Sequence, residues 1–291
     1  VSDTSVDGTE AIGLVLARPA RLLGVEPFFM EFIAGIEERL AERRLSVLLH
    51  VVATHDEEIA THRRWAERCL VDAVVVVNLT VGDRRPGVLA TLGLPAVFAG
   101  AWEGGPDLPV VATDNAAPVR EALGELLALG HRRIARVTGP ADLVHTRART
   151  AALADGCAAA GIEPVLVEGD YSAEAGTKLT AQLLRRPERP TAILYDNDVM
   201  AIAGLGVAKD LGIAVPDQLS LVAWDDSTMC RLASPPLTTM SVDVHRFGVM
   251  VAESVLELID GGPVTARRSP PARFTPRGTT ARAPKGPPSL G

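Results

Sequence analysis

The sequence predicts an α/β fold with doubly wound parallel sheets, and three observations carry that expectation. Short apolar runs alternate with amphipathic helical stretches along nearly the whole chain. The 291 residues are enough for two modest domains, so two sheets are expected rather than one. Polar groups mass just past the carboxyl ends of two neighbouring apolar runs, at Asp196-Asn197-Asp198 and at Trp224-Asp225-Asp226. Parallel α/β sheets bind small ligands in the crevice beyond their strand ends.

The elements follow in order. Residues 1–10 read as a flexible lead-in, and Ala11 to Ala17 as a buried strand. Arg18 to Pro27 is a loop with two prolines. In the helix from Phe28 to Arg43, Phe29, Phe32, Ile33, Ile36 and Leu40 recur at three- and four-residue spacing. A strand over Leu45–Val52 precedes a helix over Glu57–Cys69, whose first turn carries Asp56, Glu57 and Glu58 to suit the helix dipole. Ala73 to Asn78 is a β-branched strand ending on a polar residue, followed by a short helix and the strand Ala96–Ala99. Gly100 to Pro109 reads as a loop and Val110–Thr113 as extended chain. Asp114-Asn115 opens a helix that runs to Leu129 and stops at Gly130.

A strand over His131–Thr138, a helix over 146–160, a strand over Val165–Val167 and a helix over Ser172–Leu184 come next. Ala192–Tyr195 is a buried strand, Val199–Leu211 a helix closed by Gly212, and Leu219–Ala223 another strand. Pro235-Pro236 breaks the chain before the extended run Leu237–Val242, and Phe247–Leu258 is the last helix. From Val264 onward there are six basic residues and no acidic ones, and the tail 282–291 is expected to be disordered.

Composition excludes several classes. A formal charge of −7 argues against nucleic-acid binding by bulk electrostatics. Cys69, Cys157 and Cys230 are far apart and odd in number, which points to a reducing, cytoplasmic setting and away from a disulfide framework or a zinc site. No apolar run approaches membrane-spanning length, and the first ten residues lack the basic and apolar regions of a signal peptide. Phosphate loops, nucleophile elbows, H-E-x-x-H and C-x-x-C motifs are missing from the sequence. Gly204-Leu-Gly206 lies inside a helix without a third glycine, so it is no dinucleotide fingerprint. Asn78-Leu-Thr80 matches a glycosylation sequon only by accident, at a buried strand end. Nothing in the sequence asks for a catalytic centre, a cofactor or a metal.

Four motifs stand in order: Leu129-Gly-His-Arg-Arg-Ile-Ala135, Asn197-Asp198-x-Met200-Ala201, Val215-Pro-x-x-x-Ser220-Leu-Val-x-x-Asp225-Asp226 and Pro235-Pro236-Leu-Thr-Thr239. Together they resemble the effector-binding region of the lactose-repressor/galactose-repressor family of bacterial transcription regulators, over about Ile12 to Thr280. The resemblance implies the type I fold of periplasmic sugar-binding proteins, with two subdomains, three crossovers and a ligand cleft between them. The crossovers then fall near Thr113, Ser241 and Arg268, which gives subdomains of 11–113 with 242–267 and 114–241 with 268–281. It also implies a homodimer, a small polar effector such as a carbohydrate, and DNA binding only through an N-terminal headpiece. About ten residues precede the first strand, and they do not resemble a hinge, so the chain is expected to be the sensor half.

Candidate ligand residues carry competing readings. Asp225 and Asn197 would face one cleft from neighbouring strand ends and suit hydroxyl groups, but either fits a turn or a helix cap. A metal at Asp196-Asn197-Asp198 is a third, weaker reading. The family places an arginine in the cleft at the position of Arg149, although Arg149-Thr-Ala-Ala-Leu153 lacks the family's glycine and aromatic; the alternative is a solvated helix arginine. Tyr171 matches an aromatic that stacks on ligand, against a surface-loop reading, and Phe28 matches a cleft-wall aromatic beside a core Phe29. Asn78, His145 and Trp224 are further candidates, with Trp224 also able to pack beneath the site. Ala99-Gly100-Ala101 stands where many members carry a polar residue, and the loop Arg18–Glu26 is longer than usual.

The expected function is therefore a ligand sensor of a transcription regulator that biases a dimer by population shift. A secreted solute-binding protein of a sugar transporter uses the same cleft, and a sugar-processing enzyme is a third reading, since fold alone does not decide among them.

Overall fold

The computed structural model describes residues 9–19, 26–101 and 108–285. Most of the lead-in, the centres of the loops Arg18–Glu26 and Gly100–Pro109, and the chain beyond residue 285 lie outside the described residues.

The chain divides into two compact units: the residues up to Thr113 with Asp243–Pro270, and Asp114–Val242 with the residues from Pro271 on. Unit 1 contains β1 (Ala11–Ala17), α1 (Pro27–Ala41), β2 (Ser46–Val52), α2 (His55–Glu67), β3 (Ala73–Val76), α3 (Arg85–Leu92), β4 (Ala96–Ala99) and β5 (Val110–Ala112). Unit 2 contains α4 (Ala116–Ala128), β6 (Ile134–Thr138), α5 (Val144–Ala159), β7 (Val165–Glu168), α6 (Ala173–Leu184), β8 (Ala192–Tyr195), α7 (Asp198–Asp210), β9 (Ser220–Trp224), α8 (Thr228–Leu232) and β10 (Thr238–Ser241). The chain then returns to unit 1 for α9 (Val244–Ile259) and β11 (Arg267–Arg268), and ends in unit 2 with β12 (Arg273–Thr275).

Each unit holds a six-stranded sheet, in the order β11-β5-β4-β3-β1-β2 and β12-β10-β9-β8-β6-β7. The pairings are parallel except β10 with β12, which is antiparallel. The sheet of unit 2 has a covered face on either side. Ala192, Leu194, Val222 and Trp224 feed one core, and Ile193, Tyr195, Leu221 and Ala223 the other. Apolar runs without polar alternation are what such strands need.

In unit 1, α1 and α9 pack at close range because both contribute a glycine to the contact. A Cβ on Gly35 would lie 2.0 Å from the His245 carbonyl oxygen, and one on Gly248 would lie 2.1 Å from that of Phe32. Backbone approach of that kind is open only to glycine.

Several sequence expectations need correction. The strand expected over His131–Thr138 starts only at Ile134, because His131 is drawn into side-chain bonding with Thr191 and the Ala281 carbonyl. The strands β11 and β12 and the helix α8 carry too few residues for a periodic signal. Residues 282–285, expected in a disordered tail, include Ala283, whose N–H donates to the Leu129 carbonyl at 2.9 Å. Glu58 lies in the first turn of α2 as expected, and it also has a role that the sequence does not signal. It is buried and accepts from Arg85 Nη1 at 2.9 and 3.1 Å, while Asp83 holds the other side of the same guanidinium.

His62 lies on α2 beside this network, fully buried against Trp65, and neither ring nitrogen has a hydrogen-bond partner among the described residues. Burial pushes its pKa down to about 4, opposed by Glu58 and reinforced by Arg85. The unfolded chain binds the proton near 6.5 and the folded chain only near 4, so stability falls as pH drops through that window. The loss is on the order of 3 kcal/mol. Replacing His62 with Leu should raise the melting temperature at pH 5 and flatten the acid limb of its pH profile. An unchanged limb in calorimetry at pH 4–7 would refute this.

Candidate functional site

The carboxyl ends of β6, β8 and β9 lie level, since Val137 pairs with Tyr195 and Tyr195 with Ala223. The next residues, Thr138, Asp196 and Trp224, therefore form one row, with Gly139, Asn197 and Asp225 a step further out. Unit 2 gathers most of the candidate residues around this row.

Asp196 is the buried anchor of the row. Its carboxylate accepts from Arg136 Nε and Nη2 at 2.8 and 2.7 Å and from the Gly139 N–H at 2.9 Å. Arg136 is buried as well and gives its third donor to Thr150 Oγ1 at 3.0 Å. Burial pushes the Asp196 carboxyl up, but Arg136, Arg149 and these bonds together hold it below the usual carboxylate range. It is thus committed to two guanidinium groups, not to a metal.

Arg149 projects from α5 and is buried, not the solvated helix arginine of the alternative reading. Its guanidinium carbon lies 3.5 Å from the centre of the Trp224 ring, a cation–π contact. Nε donates to Asn115 Oδ1 at 3.0 Å, and Nη1 is 3.9 Å from Asp196 Oδ1. Burial lowers its pKa, with Asp196 the first of the groups opposing the shift. Trp224 forms the floor under this cation.

Asp225 stands next to Trp224 with φ of 70°, in the left-handed region, and is half-buried. Its pKa is pushed up to about 8, first by desolvation and then by Asp198; Arg149 pulls it down and Asp196 adds to the rise. Asp226 is a tie rather than a site group, accepting from Arg277 Nη2 at 2.7 Å and from Ser241 Oγ at 3.2 Å.

Asn197 caps α7 by accepting from the Met200 N–H at 2.9 Å, and its amide nitrogen donates to the Tyr171 carbonyl at 3.0 Å. The side chain thus fixes the loop that carries Tyr171. That residue also adopts a positive φ, 69°, and its hydroxyl bonds His145 Nε2 at 2.8 Å. Its phenol lies over Gly139, where a Cβ would come within 2.1 Å of the hydroxyl oxygen. His145 is half-buried, one turn before Arg149 on α5.

Unit 1 holds the remaining candidates. Phe28 is half-buried, edge-on to Phe29 at 5.3 Å and stacked on Phe32 at 6.1 Å. Phe29 is buried beneath Arg18, whose guanidinium lies 4.6 Å from its ring and pairs with Glu26. Asn78 follows β3 with φ of 50°, half-buried, its carbonyl accepting from Arg85 Nη2 at 2.9 Å. Asn78, Tyr171 and Asp225 are all non-glycine residues held in the left-handed region at strand ends, a cost that clusters at functional sites.

Sequence reading missed Asn115, Arg136 and the role of Asp196. Arg136 has no signal of its own, being one basic residue inside an apolar strand. Its partner is 60 residues away.

Two α/β units, each built on a six-stranded sheet and joined by repeated crossings of the chain, define the periplasmic-binding-protein class of fold. A family profile described as "periplasmic binding protein-like domain" matches residues 123–280, more than half of the chain. The HTH-type transcriptional regulator CelR of Thermobifida fusca is 30% identical over 260 residues, covering 87% of this chain and 76% of that protein. The crystal structure of a LacI family transcriptional regulator from Bifidobacterium animalis subsp. lactis superposes with a TM-score of 0.86 at 35% identity, covering 95% of this chain and 99% of the other. A CelR–cellobiose complex gives 0.85 at 28% identity, over 94% and 85%. The lac repressor dimer bound to operator gives 0.81 at 26%, over 94% and 95%. The chain belongs to the LacI family of transcription regulators, in their effector-binding region, and its relatives are regulators rather than enzymes.

Two outcomes test this geometry. Asp196→Asn removes the shared anion from two buried guanidinium groups and should cost about 3–5 kcal/mol in urea unfolding; a loss below 1 kcal/mol would mean that the pair is not what holds the row. For Asp225, the folded pKa of about 8 lies above the unfolded value near 3.8, so the folded state holds the extra proton and stability falls as pH rises between them. Asp225→Asn should remove that slope from melting curves at pH 5–8. Parallel curves for variant and parent would refute it.

Proposed function

We propose that this chain is the effector sensor of a bacterial transcription regulator and that its effector is a small polyhydroxylated molecule, a sugar or sugar derivative. The single observation that carries the reading is the arrangement around Arg149. A desolvated guanidinium is laid flat on Trp224 and fixed by Asn115, with the half-buried Asp225 beside it. A fixed fork of N–H donors next to a carboxyl acceptor matches adjacent sugar hydroxyls, and the preorganisation reduces the ordering cost of binding. Tyr171 offers an aromatic face to the C–H side of a ring. Phe28, Asn78, His145 and Asn197 complete the candidate set, with Asn197 acting largely through the Tyr171 loop.

The complex of CelR with cellobiose supports a carbohydrate effector by analogy. In this reading the protein works in the cytoplasm as a homodimer, and DNA is bound by a helix-turn-helix of the kind for which its relatives are named. Exposed apolar residues on the edge strand β2, Leu48 and Leu49, fit a subunit contact. No helix among the described residues is long and apolar enough to cross a membrane.

The test is a thermal-shift panel of mono- and disaccharides, cellobiose included. A ligand at a hundredfold excess over its Kd should stabilise the protein by about 3 kcal/mol, a shift of several degrees. Arg149→Lys should weaken that ligand at least about tenfold, the loss of one charge-assisted bond, and Asp225→Asn about fivefold, the loss of one neutral hydrogen bond. A panel without a hit, or a hit that neither substitution weakens, would overturn the reading.

A further inference from the structure

The amino-terminal ends of β6 and β8, opposite the candidate row, carry a second cluster that the effector reading does not use. Arg133 immediately precedes β6, and Arg189 lies two residues before Thr191, which leads into β8. The two are held together by backbone. The Arg133 carbonyl accepts from the Thr191 N–H at 2.8 Å and from its hydroxyl at 3.3 Å.

Arg189 is 4% exposed, yet among the described residues its Nη2 has no hydrogen-bond partner, and neither does the buried Nε of the half-buried Arg133. Among the described residues, neither guanidinium pairs with a carboxylate. Desolvation and then the charge of Arg133 lower the pKa of Arg189, so the second cation is its electrostatic neighbour. A buried charge is normally paired, and these two neighbouring cations, each with an unused buried donor, lack an anion among the described residues. The Arg136–Asp196 pair in the same sheet is the contrasting case, with the carboxylate supplied by the chain.

We infer that Arg133 and Arg189 form an oxyanion site, fitted to inorganic phosphate or to the phosphate group of a small metabolite. Guanidinium forks bind multi-oxygen anions through parallel N–H bonds, which a spherical halide does not reward. The strand β6 separates Arg133 from Gly139, which the Tyr171 phenol covers, by roughly 20 Å. It is therefore a site distinct from the proposed effector site.

The experiment is a melting-temperature titration of the full chain with sodium phosphate against sodium chloride at matched ionic strength, repeated on Arg189→Gln, Arg133→Gln and the exposed control Arg186→Gln. Phosphate should raise the parent melting temperature saturably while chloride does not. Arg186→Gln should keep that response, and the two site variants should weaken it at least tenfold. In phosphate-free buffer Arg189→Gln should also melt higher than the parent, because one of two unpaired cations is gone; if that variant does not fold, Arg133→Gln carries the test. Glycerol phosphate binding more tightly than inorganic phosphate assigns the site to a metabolite, and equal affinity assigns it to the free ion. Equal responses to phosphate and chloride in the parent, or a parent-like phosphate response in the variants, would overturn the site.

Discussion

The buried pair of Arg136 and Asp196 joins the two strands on which the candidate site depends. The guanidinium rises from the middle of β6 and the carboxylate from the end of β8, meeting at 2.7 and 2.8 Å. Two desolvated ions repay their burial only when geometry is good and the remaining lone pairs are used. Here the Gly139 N–H uses one of them, and the Arg149 guanidinium adds its charge from 3.9 Å. One carboxylate therefore fixes the backbone after β6, the end of β8 and the electrostatic setting of Arg149.

The surrounding groups acquire their properties from that choice. Asp196 neutralises Arg136 and part of Arg149, so little cationic charge is left for Asp225. The Asp225 carboxyl then feels mostly desolvation and the neighbouring Asp198, and its pKa rises. The two carboxylates stand on adjacent strand ends in the same sheet and differ in ionisation because one owns a guanidinium and the other shares one. The same logic separates Glu58, satisfied by Arg85, from His62, which is buried beside it without a partner.

Part of the backbone strain falls at the candidate residues, while Glu10, Arg44 and Cys69 carry the same conformation elsewhere. Asn78, Tyr171 and Asp225 each turn the chain through a left-handed conformation just past a strand or at the start of a helix-bearing loop. A β-carbon makes that conformation costly, and surrounding bonds hold it: Asn197 to the Tyr171 carbonyl and Arg85 to that of Asn78. The amino ends of β6 and β8 carry no non-glycine residue with positive φ among the described residues, and their distinguishing feature is the unpartnered donors of Arg133 and Arg189 instead.

The sequence by itself determined the alternation of strands and helices, because apolar periodicity and turn residues are local signals. It also determined the strand-end clusters Asp196-Asn197-Asp198 and Trp224-Asp225-Asp226, since their polarity breaks abruptly after apolar runs. Short elements escaped it: β11 with two residues and β12 with three are held by pairing to distant strands, not by their own pattern. Tertiary structure alone decided which acid of each cluster is structural. Asp196 met Arg136 from 60 residues away and Asp226 met Arg277 from 51, whereas Asp225 met no basic partner of its own. A carboxylate's role depends on the charges and solvent around it, and those are set by packing, which residue order along one chain does not specify.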